Sequence, residues 1–368
     1  MKTMLQHSFK TILGILLLQF SSSVVAFTLI QLPVASDTIT NSTTLTTQIQ
    51  PIAGAIKARL FSARRTNKPE KMAQHGNLLA ANSYVDSMSD ADYLTVALND
   101  QPGSGGGSRM GGGDAKSLWI TSSYSSLKND FSQTRFDGNV HILLAGYDKT
   151  LSDKYILGAA LSHETSKFNT RFNYGDEKTT GFNISPYMAI LLSDTWSFDL
   201  SLGHGKFNTD QYRTTSIASP TIDSNFSSTR NFVSTNLTNV SALGNWNLTS
   251  SAGIFAAKQK QEAYVENGGF PQAASSQTIK QWNLAGEAAY SHRDSESYLG
   301  LIYEKVKDPE KIAFITGKQP ADDTDSFLLS AGWRHFGKDL TANFAFTSRL
   351  GQDNITDNGF SITIRTDF

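Results

Sequence analysis

Residues 359–368, GFSITIRTDF, indicate the fold class, because apolar and polar side chains alternate along them towards the terminal Phe368. Successive residues of a β-strand point to opposite faces, so this strand has one apolar and one polar face. Its apolar residues are Phe360, Ile362, Ile364 and Phe368, and Arg365 and Asp367 carry charge on the other face. Such a strand belongs either to a soluble sheet packed on a core or to a membrane barrel.

The same period of two recurs throughout residues 116–368, for example over 182–190, 196–203 and 340–347. Short and long polar links alternate between the apolar runs. An even number of strands with this alternation of links favours a closed transmembrane barrel over a soluble sandwich. The sequence therefore predicts an all-β fold, a twelve-stranded antiparallel transmembrane β-barrel. The predicted strands are 116–127, 137–150, 155–168, 177–192, 196–212, 227–246, 250–265, 276–291, 297–306, 326–336, 340–349 and 355–368.

The composition excludes several classes of protein. Charged residues make up 18% of the 368 residues, below the roughly 25% of an average soluble protein. The net charge is −1, so no global basic field favours a nucleic-acid partner. The absence of cysteine from the sequence excludes disulfide scaffolds and thiolate metal sites. A slightly negative mean hydropathy excludes a multi-helix membrane bundle but not a barrel, whose two faces average out.

The N-terminus has the features of an export signal. Lys2 and Lys10 precede or flank the apolar run 11–20, and small residues end at Ala26. This pattern predicts a signal peptide over residues 1–26, cleaved after Ala26. The competing interpretation is a membrane anchor, because the uncharged run 11–32 is long enough to span a bilayer.

Three segments separate the signal peptide from the predicted barrel. Residues 27–51 are predicted to form a linker or stalk, exposed where Thr is frequent over 37–48. Helical spacing of apolar residues in 52–100 predicts a helical segment, a candidate passenger or pore plug, with the plug helix itself at 69–98. Residues 101–115 are rich in glycine and predict a flexible hinge.

The polar faces of the predicted strands supply the candidate functional residues. If the apolar stripes face lipid, charged residues on the other face line the lumen, because a charge facing the bilayer centre is costly. These pore-lining candidates could keep the pore wet and rigid, or could grip a plug helix. They are Asp199, Glu287, Arg334, Arg365 and Asp367, and the expected partners of the two arginines on the plug are Asp86, Asp90 and Asp92.

The sequence predicts no enzyme, cofactor or metal site. It has neither a G-x-S-x-G elbow nor an H-E-x-x-H helix. His163, Glu164 and Ser166 could be read as an esterase cluster, but His163 and Glu164 are neighbours on one strand and cannot both face the lumen. The acidic group at 322–325 is more typical of a solvated loop than of a cation site.

The chain resembles the autotransporter β-domain family. The resemblance begins with SLWITSSYSS at 117–126 and continues through the hairpins at 138–168 and 175–207. The terminal strand completes it, and NLLAANSYVD at 77–86 is similar to the helical segment that precedes such barrels. The chain departs from the family in its passenger, since only residues 27–115 remain ahead of the barrel.

The resemblance implies an integral outer-membrane barrel that exports or displays its own short N-terminal segment. The alternative is a structural, adhesive or porin-like outer-membrane barrel without translocation activity. The implied partners are outer-membrane lipids, the barrel assembly machinery and the N-terminal segment in the lumen. The terminal aromatic strand is the implied assembly signal, carried by Phe368, Ile364, Ile362 and Phe360.

Overall fold

A computed structural model describes residues 42–67, 116–214, 221–267, 269–307, 309, 320–337 and 340–368. The predicted signal peptide (1–26), plug helix (69–98) and Gly-rich hinge (101–115) lie outside these residues and stay predictions.

The described residues form a closed barrel of twelve antiparallel strands, which confirms the predicted fold class. Strands β1–β7 and β10–β14 follow one another around the barrel in chain order, and β8 and β9 form a separate small hairpin. The strands are β1 Lys116–Asn129, β2 Phe136–Leu151, β3 Tyr155–Thr170, β4 Gly175–Leu191, β5 Trp196–Arg213, β6 Ile222–Leu243, β7 Trp246–Gln261, β8 Tyr264–Val265, β9 Pro271–Gln272, β10 Ser275–His292, β11 Ser295–Lys307, β12 Asp325–Phe336, β13 Leu340–Leu350 and β14 Ile355–Asp367.

The first and last strands close the barrel. β14 pairs with β1 along its length, from Ser117 opposite Asp367 to Asn129 opposite Ile355. The amide of Phe368 donates to the carbonyl of Lys116 at 3.0 Å. The sheet therefore has no free edge, as a strand assembly in lipid requires.

The two ends of the barrel differ in the length of their connections. We call the end that carries Lys116 and Phe368 the terminal rim, and its turns are short. The opposite end, the loop rim, carries longer connections, including residues 262–274 and 308–324. The terminal-rim turns are 152–154, 192–195, 244–245, 293–294 and 337–339.

One predicted turn was misplaced. The sequence predicted strands at 227–246 and 250–265, whereas β6 ends at Leu243 and β7 begins at Trp246. Gly244 has a φ of +56°, a conformation that glycine adopts without steric cost. This allows a two-residue turn that the apolar pattern alone did not indicate.

The outer face carries two levels of aromatic rings. Near the loop rim, Trp282 contacts Tyr303 and Tyr303 contacts Phe327, each with ring centroids 5.4 Å apart. Near the terminal rim, the Trp246 and Tyr290 rings are 5.1 Å apart. Eight residues of β10 separate Trp282 from Tyr290, about 27 Å along the strand and about 20 Å across a bilayer after tilt. This spacing fits aromatic girdles at the two interfaces of a membrane.

A helix, α1 (Ser42–Asn67), lies inside the barrel. Its apolar residues repeat every three or four positions, so they share one face. That face belongs to a buried cluster whose wall residues come mostly from β1–β4, with others from β6, β7, β10 and β14. The helix residues are Leu45, Ile49, Ile52 and Ile56, each at most 2% exposed, and their wall partners in the cluster include Trp119, Ile142, Leu144 and Ile156. In the part of the chain that is described, no helix is long and apolar enough to cross a membrane.

The predicted exposed linker is wrong from Ser42 onward, because α1 begins there and residues 44–48 are buried. The spacing of apolar residues predicted a helix only from residue 52, and proline in a helix interior removes a backbone hydrogen bond. The helix instead continues through Pro51, with the barrel wall packed around it. The lumen is thus occupied by α1, N-terminal to the segment at 69–98 that was predicted as the plug.

Candidate functional site

The first anchor of α1 in the lumen is a buried arginine of the wall. Arg230 pairs with Glu164 at 2.7 Å, and both side chains are almost fully buried. It also donates to Gln259 at 3.0 Å and to the Gln48 side-chain oxygen at 2.8 Å. Its guanidinium lies 4.0 Å from the centroid of the Phe207 ring. The wall supplies the charge partner, and α1 supplies only a neutral amide.

The second anchor is built in the same way around Arg349. This guanidinium pairs with Glu304 and, at 3.3 Å, with Asp357. It donates to the Gln50 side-chain oxygen at 2.7 Å. Gln50 donates back to Glu304, and the Thr47 hydroxyl donates to Asp357 at 3.0 Å. Again the charges belong to the wall and the helix contributes uncharged groups.

Both anchors lie near the loop rim, and they have one consequence for the helix. Each wall arginine would keep its carboxylate partner on the wall if the glutamine of α1 moved away. Unpaired buried charges are strongly destabilising, so a wall that neutralises its own charges can release or exchange the chain segment within it at a smaller cost.

The charged side chain described on α1 is Lys57, which lies towards the terminal rim. Its ammonium donates to Ser251 at 2.7 Å and to Asn236 at 3.4 Å. Asn236 in turn donates to Asp199 at 2.9 Å. Asp199, a candidate from the sequence, therefore stands on the inner face and reaches the helix through Asn236.

The other four lumen candidates form two separate pairs on the inner wall. Arg334 makes a two-pronged contact with Glu287, at 2.8 and 2.7 Å, and covers the Tyr298 ring at 3.8 Å. Arg365 contacts Asp367 at 2.7 Å near the terminal rim. Both arginines thus have carboxylate partners on the wall, whereas the expected partners Asp86, Asp90 and Asp92 lie outside the described residues.

The helix leaves two parts of the lumen open, one bordered by β4–β7 and β10–β12 and the other by β1 and β10–β14. A cavity of about 200 Å³ lies between Gly54, Lys57 and the wall near Asp199. A second cavity, of about 250 Å³, extends towards the loop rim. Both are bordered by Gly54, Glu287, Ile302, Ser330 and Arg334.

The family model described as the autotransporter beta-domain matches residues 118–300, from β1 into β11. The barrel belongs to the autotransporter β-domain family. The translocator domain of the autotransporter NalP from Neisseria meningitidis is similar in structure, with a TM-score of 0.58 and 11% identity over 79% of this chain and 98% of that one. The β-domain of the Bordetella autotransporter BrkA gives a TM-score of 0.57 and 14% identity, over 68% of this chain and 98% of that chain. None of the curated proteins matches the sequence.

As an autotransporter β-domain, the barrel is an outer-membrane protein. The residues predicted to form the assembly signal lie on the outer face of the terminal strand, β14. Phe360, Ile364 and Phe368 are exposed on the outer face, and Ile362 is half-buried beside them. Recognition of this strand by an assembly machinery stays a prediction.

The residues considered as an esterase cluster lie on opposite faces of the barrel wall. His163 lies on the outer face, with its ring 4.7 Å from that of Phe182, while Glu164 and Ser166 face inward. Asp325 is held by Lys305 at 3.2 Å. Within the described ranges, no group of three or more His, Asp or Glu side chains is placed to hold a metal ion.

The sequence reasoning missed the anchor residues of the lumen, and it named Glu164 only as part of a possible esterase cluster. The sequence does contain a signal for the wall residues, because each of them lies on the polar face of its strand. Assigning the inward-facing positions by this alternation in every strand would have identified them. The missed residues are Arg230, Gln259, Glu304, Arg349 and Asp357 on the wall and Thr47, Gln48, Gln50 and Lys57 on the helix.

Proposed function

We propose that this autotransporter β-domain translocates and displays its own N-terminal arm, residues 27–41, while α1 stays in the lumen. The direction of α1 carries the proposal. Thr47 contacts Asp357 close to the loop rim, and Lys57 contacts Ser251 closer to the terminal rim. The N-terminal end of α1, at Ser42, is therefore directed towards the loop rim.

The lengths of the connections support the orientation in the membrane. Outer-membrane barrels carry short turns on the periplasmic side and longer loops outside, so the loop rim faces the exterior. The C-terminal end of α1 is directed towards the terminal rim, where β1 begins at Lys116. The described elements on either side of 68–115 therefore both point to, or begin at, the periplasmic side. The displayed passenger is consequently shorter than the 27–115 that the sequence suggested.

The chemistry of the lumen supports passage of a chain. The anchors offer paired charges and hydrogen-bonding groups to neutral side chains, and these contacts can be exchanged along a moving segment. The proposed role involves transport without a catalytic step or cofactor. Lipids of the outer membrane and an assembly machinery that reads the strand ending in Phe368 complete the proposed partners.

Cysteine labelling tests the proposal, because the sequence contains no cysteine and each introduced thiol is unique. On intact cells, a membrane-impermeant maleimide should label Ser36→Cys and should label Ser104→Cys only after the outer membrane is permeabilised. Arg171→Cys in a loop-rim turn and Asn245→Cys in a terminal-rim turn calibrate the two sides. Labelling of Ser104→Cys but not Ser36→Cys on intact cells would contradict the proposed threading.

The alternative of a porin-like barrel is favoured by one observation, the open cavities beside α1. A Cβ atom added at Gly54 would meet no atom of the surrounding wall within 4 Å, and Gly54 borders both cavities, so Gly54→Phe should narrow the passage at little cost to the fold. If the barrel conducts small solutes in this way, the full chain should conduct in a planar bilayer and the variant should conduct less. Equal conductance of both proteins would exclude this path.

A further inference from the structure

Four lysines lie together on the outer face of β7, β10 and β11, beyond the aromatic level near the loop rim. Three of them are exposed and Lys258 is half-buried. We call them the basic patch, and its members are Lys258, Lys260, Lys280 and Lys307.

The strand register brings these charges close to one another. Lys280 is directly opposite Lys307. Lys258 is opposite Thr278, which places it diagonally across from Lys280. Like charges at directly opposed positions of a sheet destabilise it, so this arrangement favours an anion between them.

No carboxylate of the described residues lies within ion-pair distance of the patch. Two other lysines of the outer face differ in this respect: Lys305, next to the patch on β11, pairs with Asp325 at 3.2 Å, and Lys128 on β1 pairs with Asp130 at 2.8 Å. The nearest acidic residue along β7 is Glu262, beyond the end of the strand. The basic patch is therefore a local, uncompensated positive surface on a chain whose net charge is −1.

The height of the patch on the barrel identifies its surroundings. Lys280 lies two residues beyond Trp282 on the same face of β10, about 7 Å further towards the loop rim. Aromatic rings of a girdle mark the membrane interface. Lysines just beyond them reach the level of the lipid headgroups, and their long stems let the ammonium groups extend to it.

We propose that the basic patch binds the phosphate groups of anionic lipid headgroups in the leaflet at the loop rim. The complementary charge is the reason, since basic side chains near a surface of anionic lipid are attracted to it. β12, β13 and β14 contain no lysine, so the basic patch does not continue onto the strands that follow β11. The inference depends on the barrel residing in a membrane and not on export of the N-terminal arm.

A polar groove extends the patch towards β4 and β5. Lys260 is opposite Thr229, and Thr229 is opposite Lys206. Lys206 and Thr229 line an outer groove of about 430 Å³ together with Asn208 and Ser227, with Glu262 at its edge. Its hydroxyl and amide groups suit the neutral polar part of a headgroup whose phosphate is held by the lysines.

Trp282 is a built-in reporter for this site. It is the outward-facing tryptophan of the loop-rim half, whereas Trp196, Trp246 and Trp333 face outward near the terminal rim and Trp119 is buried in the lumen. A parent variant with phenylalanine at 196, 246 and 333 leaves Trp282 as the lipid-facing fluorophore. It is reconstituted in phosphatidylcholine vesicles that contain either brominated phosphatidylglycerol or brominated phosphatidylcholine, whose bromines quench adjacent tryptophan.

We expect phosphatidylglycerol to displace phosphatidylcholine near Trp282 with a relative binding constant on the order of fivefold. The variant with Lys258→Gln, Lys280→Gln and Lys307→Gln should lose the preference. A matched control with Lys305→Gln and Asp325→Asn removes a pair with no change of net charge and should keep it. In the parent, added salt should weaken the preference through screening.

Three results would overturn the proposal. The first is equal quenching by the two brominated lipids in the parent, and the second is an unchanged preference in the folded triple variant. The third is a preference insensitive to salt, and this measurement on the parent stands even if the triple variant does not fold. Heat-modifiable migration verifies folding of every variant.

Discussion

We expect Glu164→Gln to destabilise the folded barrel by about 3 kcal/mol, because it leaves the Arg230 guanidinium buried without its carboxylate. The two side chains are 1% and 2% exposed, and their charged atoms are 2.7 Å apart. At an effective dielectric constant of about 20, the Coulomb attraction at this distance is about 6 kcal/mol. Desolvation offsets part of it, and removing one partner of a buried pair costs about 3–5 kcal/mol. The glutamine keeps an acceptor oxygen, which favours the lower end of that range.

An exposed pair of the same length provides the matched control. Arg171 and Asp137 are also 2.7 Å apart, but their side chains are 62% and 37% exposed. The hydrogen bond to Asp137 raises the pKa of the Arg171 guanidinium, so Arg171 is charged at neutral pH. Exposed pairs contribute about 0–1 kcal/mol, and Asp137→Asn should therefore change stability by no more than that.

Urea titration of the refolded barrel in lipid vesicles measures both variants, with heat-modifiable migration to count folded molecules. A third variant, Glu164→Gln with Arg230→Met, should recover most of the loss, because no unpaired charge remains. Equal destabilisation by Glu164→Gln and Asp137→Asn, or a loss below about 1 kcal/mol for Glu164→Gln, would refute the view that burial makes the lumen pair sensitive.

Three further predictions concern the helix and the terminal strand. Ile52→Ala should lower the free energy that holds α1 in the lumen by at least about 2 kcal/mol. Maleimide should then label the buried Thr47→Cys about 30-fold faster. An unchanged labelling rate would mean that Ile52 does not hold the helix. Deletion of residues 42–67 should leave a heat-modifiable barrel with higher conductance in a planar bilayer, and conductance equal to that of the full chain would count against α1 as the plug. Deletion of Phe368 should lower the amount of assembled barrel in outer-membrane fractions, because Phe368 closes the seam with Lys116 and ends the apolar face; normal yield would exclude that role.

The barrel could be predicted from the sequence because its signal is local. Alternation along a strand such as β14 requires only that neighbouring residues point to opposite faces, and the same rule assigned Arg334 and Glu287 to one face. Strand ends were less certain where a turn depends on one residue, as at Gly244. There the positive φ, and not any change in hydropathy, ends the strand.

The helix in the lumen could not be located in this way because its environment is distant in sequence. Gln50 and Arg349 are 299 positions apart, and Gln48 and Arg230 are 182 apart. Residues 42–50 are rich in Thr and carry no charge, a composition that also suits an exposed linker, and only the hydrogen-bonding partners on the barrel wall distinguish the two. Pro51 adds to the difficulty, since it normally ends a helix and here lies within one.

The seam between β1 and β14 has a kinetic consequence for how the lumen is filled. Its pairs, such as Ser117 with Asp367, join residues 250 positions apart, and contacts of such long sequence separation form slowly. The apolar cluster that contains α1 draws most of its wall residues from β1–β4, contacts that are available as soon as the first third of the barrel has formed. The helix can therefore be enclosed by a growing, still open sheet and need not be threaded into a finished ring. Pairing of β14 with β1 is then the last step, and it closes the wall around a helix that already lies against it.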